Sequence, residues 1–472
     1  MSSVTGPAGA VSTIAAAPAA ANNGGAMSSP SRRVLRLLVQ PLDVFFRTEA
    51  IGGTLLMLAT AVALVAANSP LSESYRLFWT ATVTVGSDAF GLSKPLVIWV
   101  NDLLMAIFFL VVGLEIKREL LIGELNSVRK ALLPTAAALG GMIVPALVFL
   151  AVAHAPPASR GWGVPMATDI AFALGCLRLL GARVPAALIV FLTAVAIIDD
   201  LGAILVIALF YSGGLSTAAL VVAAVCTAGL IAMNRMGVRV PALYLVAGIP
   251  LWIAILKSGI HATIAGVIVG MCVPSRAAFS KKHVIEQART LLGYAAKEDS
   301  VETETALRSL EYRLEQCESP LAKLERALHP WVAYMIIPVF ALANAGVSFS
   351  DVGPSTLSGP VSLGVMLGLL LGKQVGVFGA TYAAVRLQWS ALPTGVKWRD
   401  IYGVSLLAGI GFTMSLFVAG LAYGEGTALH VEAKLGILVA SLLSAIAGVA
   451  VLSRRPRPTA TAETAAADSP TD

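Results

Sequence analysis

The chain has 472 residues, 57% hydrophobic and only 13% charged, with a formal net charge of +6 and a mean hydropathy of +0.82. A soluble chain carries about a quarter charged residues, so the composition excludes an ordinary soluble enzyme and points to an integral membrane protein. The basic residues are spread through short stretches between apolar runs instead of forming one patch, which argues for a lipid bilayer and against nucleic acid as the partner.

Residues 1–33 read as a disordered leader. Met1 to Pro30 is rich in Ala, Ser and Gly and has no Lys or Arg, so it lacks the basic start of a signal peptide. A transmembrane domain is expected over 34–453, with a second disordered tail over 454–472. Within the domain, apolar segments fall at roughly 50–67, 96–116, 131–153, 162–180, 186–211, 217–234, 241–256, 259–273, 331–346, 361–385, 401–423 and 433–452. The expected fold is therefore all-α and polytopic, with twelve transmembrane helices. An even number puts both termini on one side. With the termini in the cytoplasm, that side holds 27 of the 33 Lys and Arg residues and the other holds 5, leaving Lys373 inside the membrane.

Between the first two segments, Phe78 to Lys94 alternates β-branched residues around Gly86-Ser87-Asp88 and predicts a hairpin. A two-stranded hairpin is marginal alone, so it either pairs with a second copy in a homodimer or packs as an ordinary loop. Asp102, near the outer end of segment two, is expected to cap that helix rather than to line an exit. Glu115 and Glu119 stand at i and i+4 at its other end, beside Lys117 and Arg118; a solvated helix end and a pH-sensing role are both open, and the same holds for Glu325. His261 is either a packing residue or a proton switch.

Segment four carries Pro165 just before Ala167-Thr168-Asp169, and segment eleven has Gly409 and Gly411 at its centre. Each is the middle member of a triplet, segments 3–5 and 10–12. Interruptions at matching positions point to a transport site between inverted-topology repeats. The polar insert Arg276–Arg326 has nine basic and nine acidic residues; Leu307, Leu310 and Leu314 predict an amphipathic cytoplasmic helix within it. Cys176, Cys226, Cys272 and Cys317 lack metal-ligand spacing and read as packing residues.

The most informative stretch is Leu188 to Tyr211, an apolar run with Asp199 and Asp200 at its middle. Each charge at a helix centre costs about 3 kcal/mol on the insertion scale. With Asp169 and Lys373 in similar settings, four such groups total roughly 12 kcal/mol. Groups this costly mark ion or proton pathways. Sodium and lithium prefer oxygen ligands, and carboxylates supply them only when deprotonated, so a cation and protons compete for one site. The two aspartates are about 100° apart around the helix. Asp200 is expected to be the principal ligand of a transported Na+, with Asp199 partly engaged by Lys373. A pair of Asp199 and Lys373 that only fixes packing is the other reading.

Several motifs resemble the bacterial sodium/proton antiporter A family: NDLLMAIFFLVVGLEIKREL (101–120), ATDIAFALG (167–175), LTAVAIIDDLGAI (192–204), LKSGIHATIAGVIVG (256–270), LERALHPWVAY (324–334), FALANAGVS (340–348), LGKQVG (371–376) and GIGFTMSLF (409–417). The similarity runs from about residue 40 to 453. That family is itself a known example of inverted-topology repeats, so agreement there adds no independent support. The resemblance implies a non-enzymatic Na+(Li+)/H+ antiporter of the bacterial inner membrane, without cofactor, moving about two protons per sodium. It implies Asp199 and Asp200 as the cation- and proton-binding pair. Asp169 and Thr168 would lie at a crossing of two broken helices, with Lys373 facing them. Glu115, Glu119, His261 and Glu325 would belong to the cytoplasmic mouth and the pH response. At the crossing, Asp169 either offsets the half-helix N-terminal dipoles or ligates the cation directly, and Lys373 would offset the C-terminal ends. Thr168 either gives an oxygen or caps a half-helix. The insert is longer than in well-known members and the leader is extra. A sodium-coupled symporter is disfavoured because its solute needs neutral polar ligands. An intramembrane protease is disfavoured because its paired aspartates need a GxGD motif, absent here. A passive channel would not couple the two ions.

Overall fold

The computed structural model describes residues 51–86, 91–277, 284–286, 317–349 and 353–456. The expected leader, the amphipathic helix around Leu307–Leu314, the hairpin tip and the tail beyond residue 456 lie outside these residues.

The first apolar run forms α1 (Ile51–Ala67) and then turns by 113° into α2 (Ser72–Thr80). Ser69-Pro70 sits in the bend, where proline cannot continue the helical ladder. The predicted hairpin is present. Strand β1 (Thr82–Val85) pairs antiparallel with β2 (Leu92–Pro95) in the register Thr82 to Pro95 and Val85 to Leu92. Trp99 Nε1 donates to Val83 O at 3.0 Å and ties the hairpin to the next helix.

That helix, α3 (Leu96–Leu121), contains a wide π turn at Val100–Leu104 and is followed by α4 (Val128–Val152). Segment four does not form one helix: a 3-10 stretch, Ala158–Met166, passes into extended backbone at Ala167, and α5 (Ile170–Leu179) starts after Asp169. Long helices α6 (Ala186–Phe210), α7 (Thr217–Arg235) and α8 (Pro241–Ser258) follow, then the nine-residue α9 (Ile264–Cys272). After the insert come α10 (Pro320–Asn344) and α11 (Pro360–Arg386), each with a π turn, at Val332–Ile336 and Gly368–Gly372. Segment eleven breaks into α12 (Trp398–Leu407) and α13 (Phe412–Tyr423), bent by 45°, and α14 (Ala428–Ser453) closes the series.

Among the described residues, eight helices are long and apolar enough to cross a membrane, or up to ten if each bent pair counts as one span. The expected twelve therefore exceeds what length alone supports. Segment four is interrupted by its own Asp169. Segment eight loses its first residues to the turn at Gly259–Thr263.

The deepest packing lies between α4 and α11. Gly368, Gly372 and Gly376 repeat every four residues along α11, the first against Pro165 and the Pro145 carbonyl, the second against Pro145 and the third against Gly140 of α4. A Cβ at Gly372 would stand 2.6 Å from the Pro145 Cα. Small residues at this spacing let two helices approach closely in lipid. By contrast, α7 buries only 11% of its apolar window and presents nearly all of its surface outward.

Candidate functional site

Both aspartates of α6 are buried, each 1% exposed. On one flank, Asp199 Oδ2 accepts from Lys373 Nζ at 2.5 Å and from Thr168 Oγ1 at 2.7 Å. Lys373 is wholly buried as the first residue after the π turn of α11. The glycine stripe brings α11 against α4 here: a Cβ at Gly141 would stand 2.8 Å from Val377 Cγ2, and Nζ of Lys373 lies in ordinary contact distance of the same position.

The two breaks are stitched to each other. Asp169 caps α5 by accepting from Phe172 N at 2.9 Å, and its second oxygen accepts from the backbone N and Oγ1 of Thr413 at 3.0 and 2.5 Å. One carboxylate thus serves the N-termini of both α5 and α13, where unsatisfied N–H groups and the helix dipoles favour negative charge. Asp169 N donates to Ile410 O at 2.7 Å. Thr168 does not cap α5, because Asp169 holds that position. Its hydroxyl points to Ala408 O at 2.9 Å as well as to Asp199, and the two acceptors compete for one proton. Ser415 Oγ donates to Val164 O at 2.8 Å. The carbonyls at the breaks are therefore met by groups from the opposite break, while Lys373 is turned to Asp199. Ala167, fully buried, supplies extended backbone at the first break, and at the second Gly409 and Gly411 leave room for close neighbours, since a Cβ would stand 2.6 Å from Leu369 O at one and closer still to Ser415 Oγ at the other.

The other flank of α6 faces a cavity of about 60 Å³ lined by Asp200, Asp169, Thr413, Glu115 and His329 among apolar side chains such as Phe108, Val111, Val332 and Ile337. Asp200 Oδ1 is buried and has no hydrogen-bond partner among the described residues, and the same is true of Asp199 Oδ1 on the tied flank. The described residues contain no cluster of three or more His, Cys, Asp or Glu side chains able to hold a metal.

Of the four residues associated with the mouth and the pH response, three come together. Arg118 pairs with Glu325 and lies 3.3 Å from Glu119, while Glu115 lies one turn further along α3 and 3.8 Å from His329 Nδ1. His261 is elsewhere, at the opposite end of α3, with Nε2 3.7 Å from Asp102 Oδ1 and Nδ1 2.9 Å from Thr263 Oγ1. Asp102 does not cap α3, whose first turn has no side-chain cap; it binds Lys94 Nζ at 2.7 Å. Sequence reasoning also missed a polar group at that same end: Asn101, Asn344 and Glu425, with His430 and Lys434 of α14 close by. Burial raises the Glu425 carboxyl above the usual carboxylate range, against the pull of Lys434 and Asn101. The available signal was a pair of amides, Asn101 and Asn344, each set in an apolar run.

A family model described as Na+/H+ antiporter 1 matches residues 43–452. The chain is 49% identical to the Na+/H+ antiporter NhaA 2 of Sorangium cellulosum, over 89% of this chain and 91% of that one. It is 50% identical to the Na+/H+ antiporter NhaA of Anaeromyxobacter sp., over 91% and 94%. With the NhaA of Pseudomonas putida the identity is 48%, over 88% and 98%.

Proposed function

The chain belongs to the Na+/H+ antiporter 1 family, and from that premise we propose that it exchanges sodium or lithium for protons across the bacterial inner membrane. It is a multi-pass membrane transporter, and in this reading not an enzyme. The chain crosses twelve times, counting each broken segment and α9 as one passage. Both termini are cytoplasmic, and segments 3–5 and 10–12 are inverted repeats whose breaks cross. The hairpin β1–β2 joins two copies in a homodimer. Glu115, Glu119 and Glu325 then mark the cytoplasmic mouth, and the Glu425 end faces outward.

The observation that carries the reading is Asp200: a buried carboxylate with an unpartnered oxygen, lining a small cavity beside a charge pair. A bare buried carboxylate is costly, and either a proton or a cation relieves that cost. Na+ binding at Asp200 and Asp199, with Thr168 and Asp169 at hand for oxygen ligands, expels protons; protonation expels Na+. If only a loaded site changes sides, exchange follows with one pathway. Two protons against one Na+ moves one net charge per cycle, and a membrane potential of 100 mV then supplies about 2.3 kcal/mol to expel sodium.

The test uses the full chain in proteoliposomes with an internal pH dye, titrated with Na+, Li+ and K+. Saturable proton release that depends on Na+ or Li+, with an apparent affinity that weakens as the medium is acidified, is expected. Sodium binding indifferent to pH would remove the competition and the proposal with it.

A further inference from the structure

Three helices that line the Asp200 cavity leave it in parallel, and each places the same two kinds of residue on the way out. On α3, cavity residues Val111 and Val112 give way to Phe109 and then Asn101. On α10, Ile337 gives way to Phe340 and then Asn344. On α13, Thr413 gives way to Phe417, and Glu425 lies just past the helix end. The three rings form one buried layer: Phe417 is 5.6 Å from Phe109 and 6.3 Å from Phe340 between centroids, and none is more than 3% exposed. The polar groups form a second layer above it. Asn101 Nδ2 donates to Glu425 Oε1 at 3.0 Å, and Asn101 and Asn344 exchange amide hydrogen bonds at 2.9 and 3.2 Å. Asn344 also donates to Phe340 O at 3.0 Å, which couples the layers. At the Glu115 and His329 end of the cavity no such pair of layers is formed among the described lining residues.

We infer that Glu425 is a positioning residue that latches the outward end of the transport path shut, holding the Phe109–Phe340–Phe417 layer closed through Asn101 and Asn344. The inference rests on the antiporter reading for the word outward, but the latch itself is a contact that can be tested without transport. Asp200 meets the outer solution only when three helices part at this point, so the Asn101–Glu425 bond is among the first to break. A carboxylate suits that task. It makes a strong bond to an amide while closed and is readily rehydrated when open, its side chain being 28% exposed already. The charged and titratable groups around it are His430 (3.4 Å) and Lys434 on α14, with Asp102, Lys94 and His261 further along the same end.

The experiment replaces the four cysteines by alanine and adds Ile337→Cys as reporter, one step inward of Phe340, in full-length protein in vesicles. A membrane-impermeant maleimide is applied to each face separately. Glu425→Ala is expected to raise the labelling rate from the outer face by about tenfold, the population change that one lost hydrogen bond to a charged group brings. Glu425→Gln, which keeps a neutral acceptor oxygen for Asn101, should raise it by clearly less than the alanine variant does. The apparent KM for sodium given from the outer face should fall in Glu425→Ala without an equal change in maximal rate, which mere loss of stability would not produce. If Glu425→Ala does not fold, Asn101→Ala removes the same bond from its other partner and is read the same way. Labelling of the folded alanine variants at the parent rate overturns the latch, and so does an equal rise in Glu425→Gln. Parent protein without Na+-driven proton movement would sink the antiporter reading instead and leave the labelling result standing.

Discussion

On one flank of α6, Asp199 is held by two donors, a buried ammonium at 2.5 Å and a hydroxyl at 2.7 Å. On the next flank, Asp200 faces a cavity with Glu115, Asp169 and Thr413, and one of its oxygens has no partner among the described residues. One residue of separation and about 100° of rotation divide a carboxylate tied through Oδ2 to an ammonium and a hydroxyl from one that opens on the cavity, while Oδ1 of each lacks a partner among the described residues. The first has part of its desolvation offset by the Lys373 ammonium. The second faces the cavity, where the exchange proposed above puts a proton or a cation.

The comparison breaks most visibly if the tied flank is cut. Lys373→Met leaves Asp199 buried without its cation and should lower stability by about 3–5 kcal/mol. Adding Asp199→Asn should recover most of that loss, read as melting temperature in detergent. A single variant as stable as the parent would show that the pair holds nothing. Next in size, Asp200→Asn should reduce Na+-dependent proton release about a hundredfold or more by removing the anionic ligand, while the melting temperature stays near the parent's. Exchange at the parent's rate would take Asp200 out of the site and collapse the distinction between the flanks. The smallest effect sharpens it: Thr168→Ala should cost about 1 kcal/mol by removing a hydroxyl shared between Asp199 and Ala408 O, and Thr168→Ser should restore it. An alanine variant that instead loses sodium affinity at unchanged stability would show the hydroxyl serving the cation and not the break.

Much of the frame was legible in the chain. Asp199, Asp200, Asp169 and Lys373 stood out because charges are rare in apolar runs, and Pro165 and Gly409–Gly411 because they interrupt such runs. Alternation around Gly86 predicted the hairpin. Two parts were not legible, and a third was overlooked. The role of Thr168 turned on which of two adjacent residues takes the N-cap of α5, and Asp169 takes it because its oxygens also reach Thr413 across the second break. The placement of His261 away from Glu115 and Glu119 depended on which end of α3 meets the α8–α9 turn. The spacing Gly368, Gly372, Gly376 was present to be read in LGLLLGKQVG, and it is what brings Lys373 against Gly141 and Asp199.

Composition and periodicity determined by themselves that this is a membrane protein, where its apolar segments lie, and which charges are buried in them, because each of those is a transfer cost counted residue by residue. Tertiary structure alone decided which carboxylate is paired, which break caps which, and where the aromatic and amide layers close. Those outcomes depend on contacts between residues up to a few hundred positions apart, such as Asn101 with Glu425, and no local pattern carries that distance.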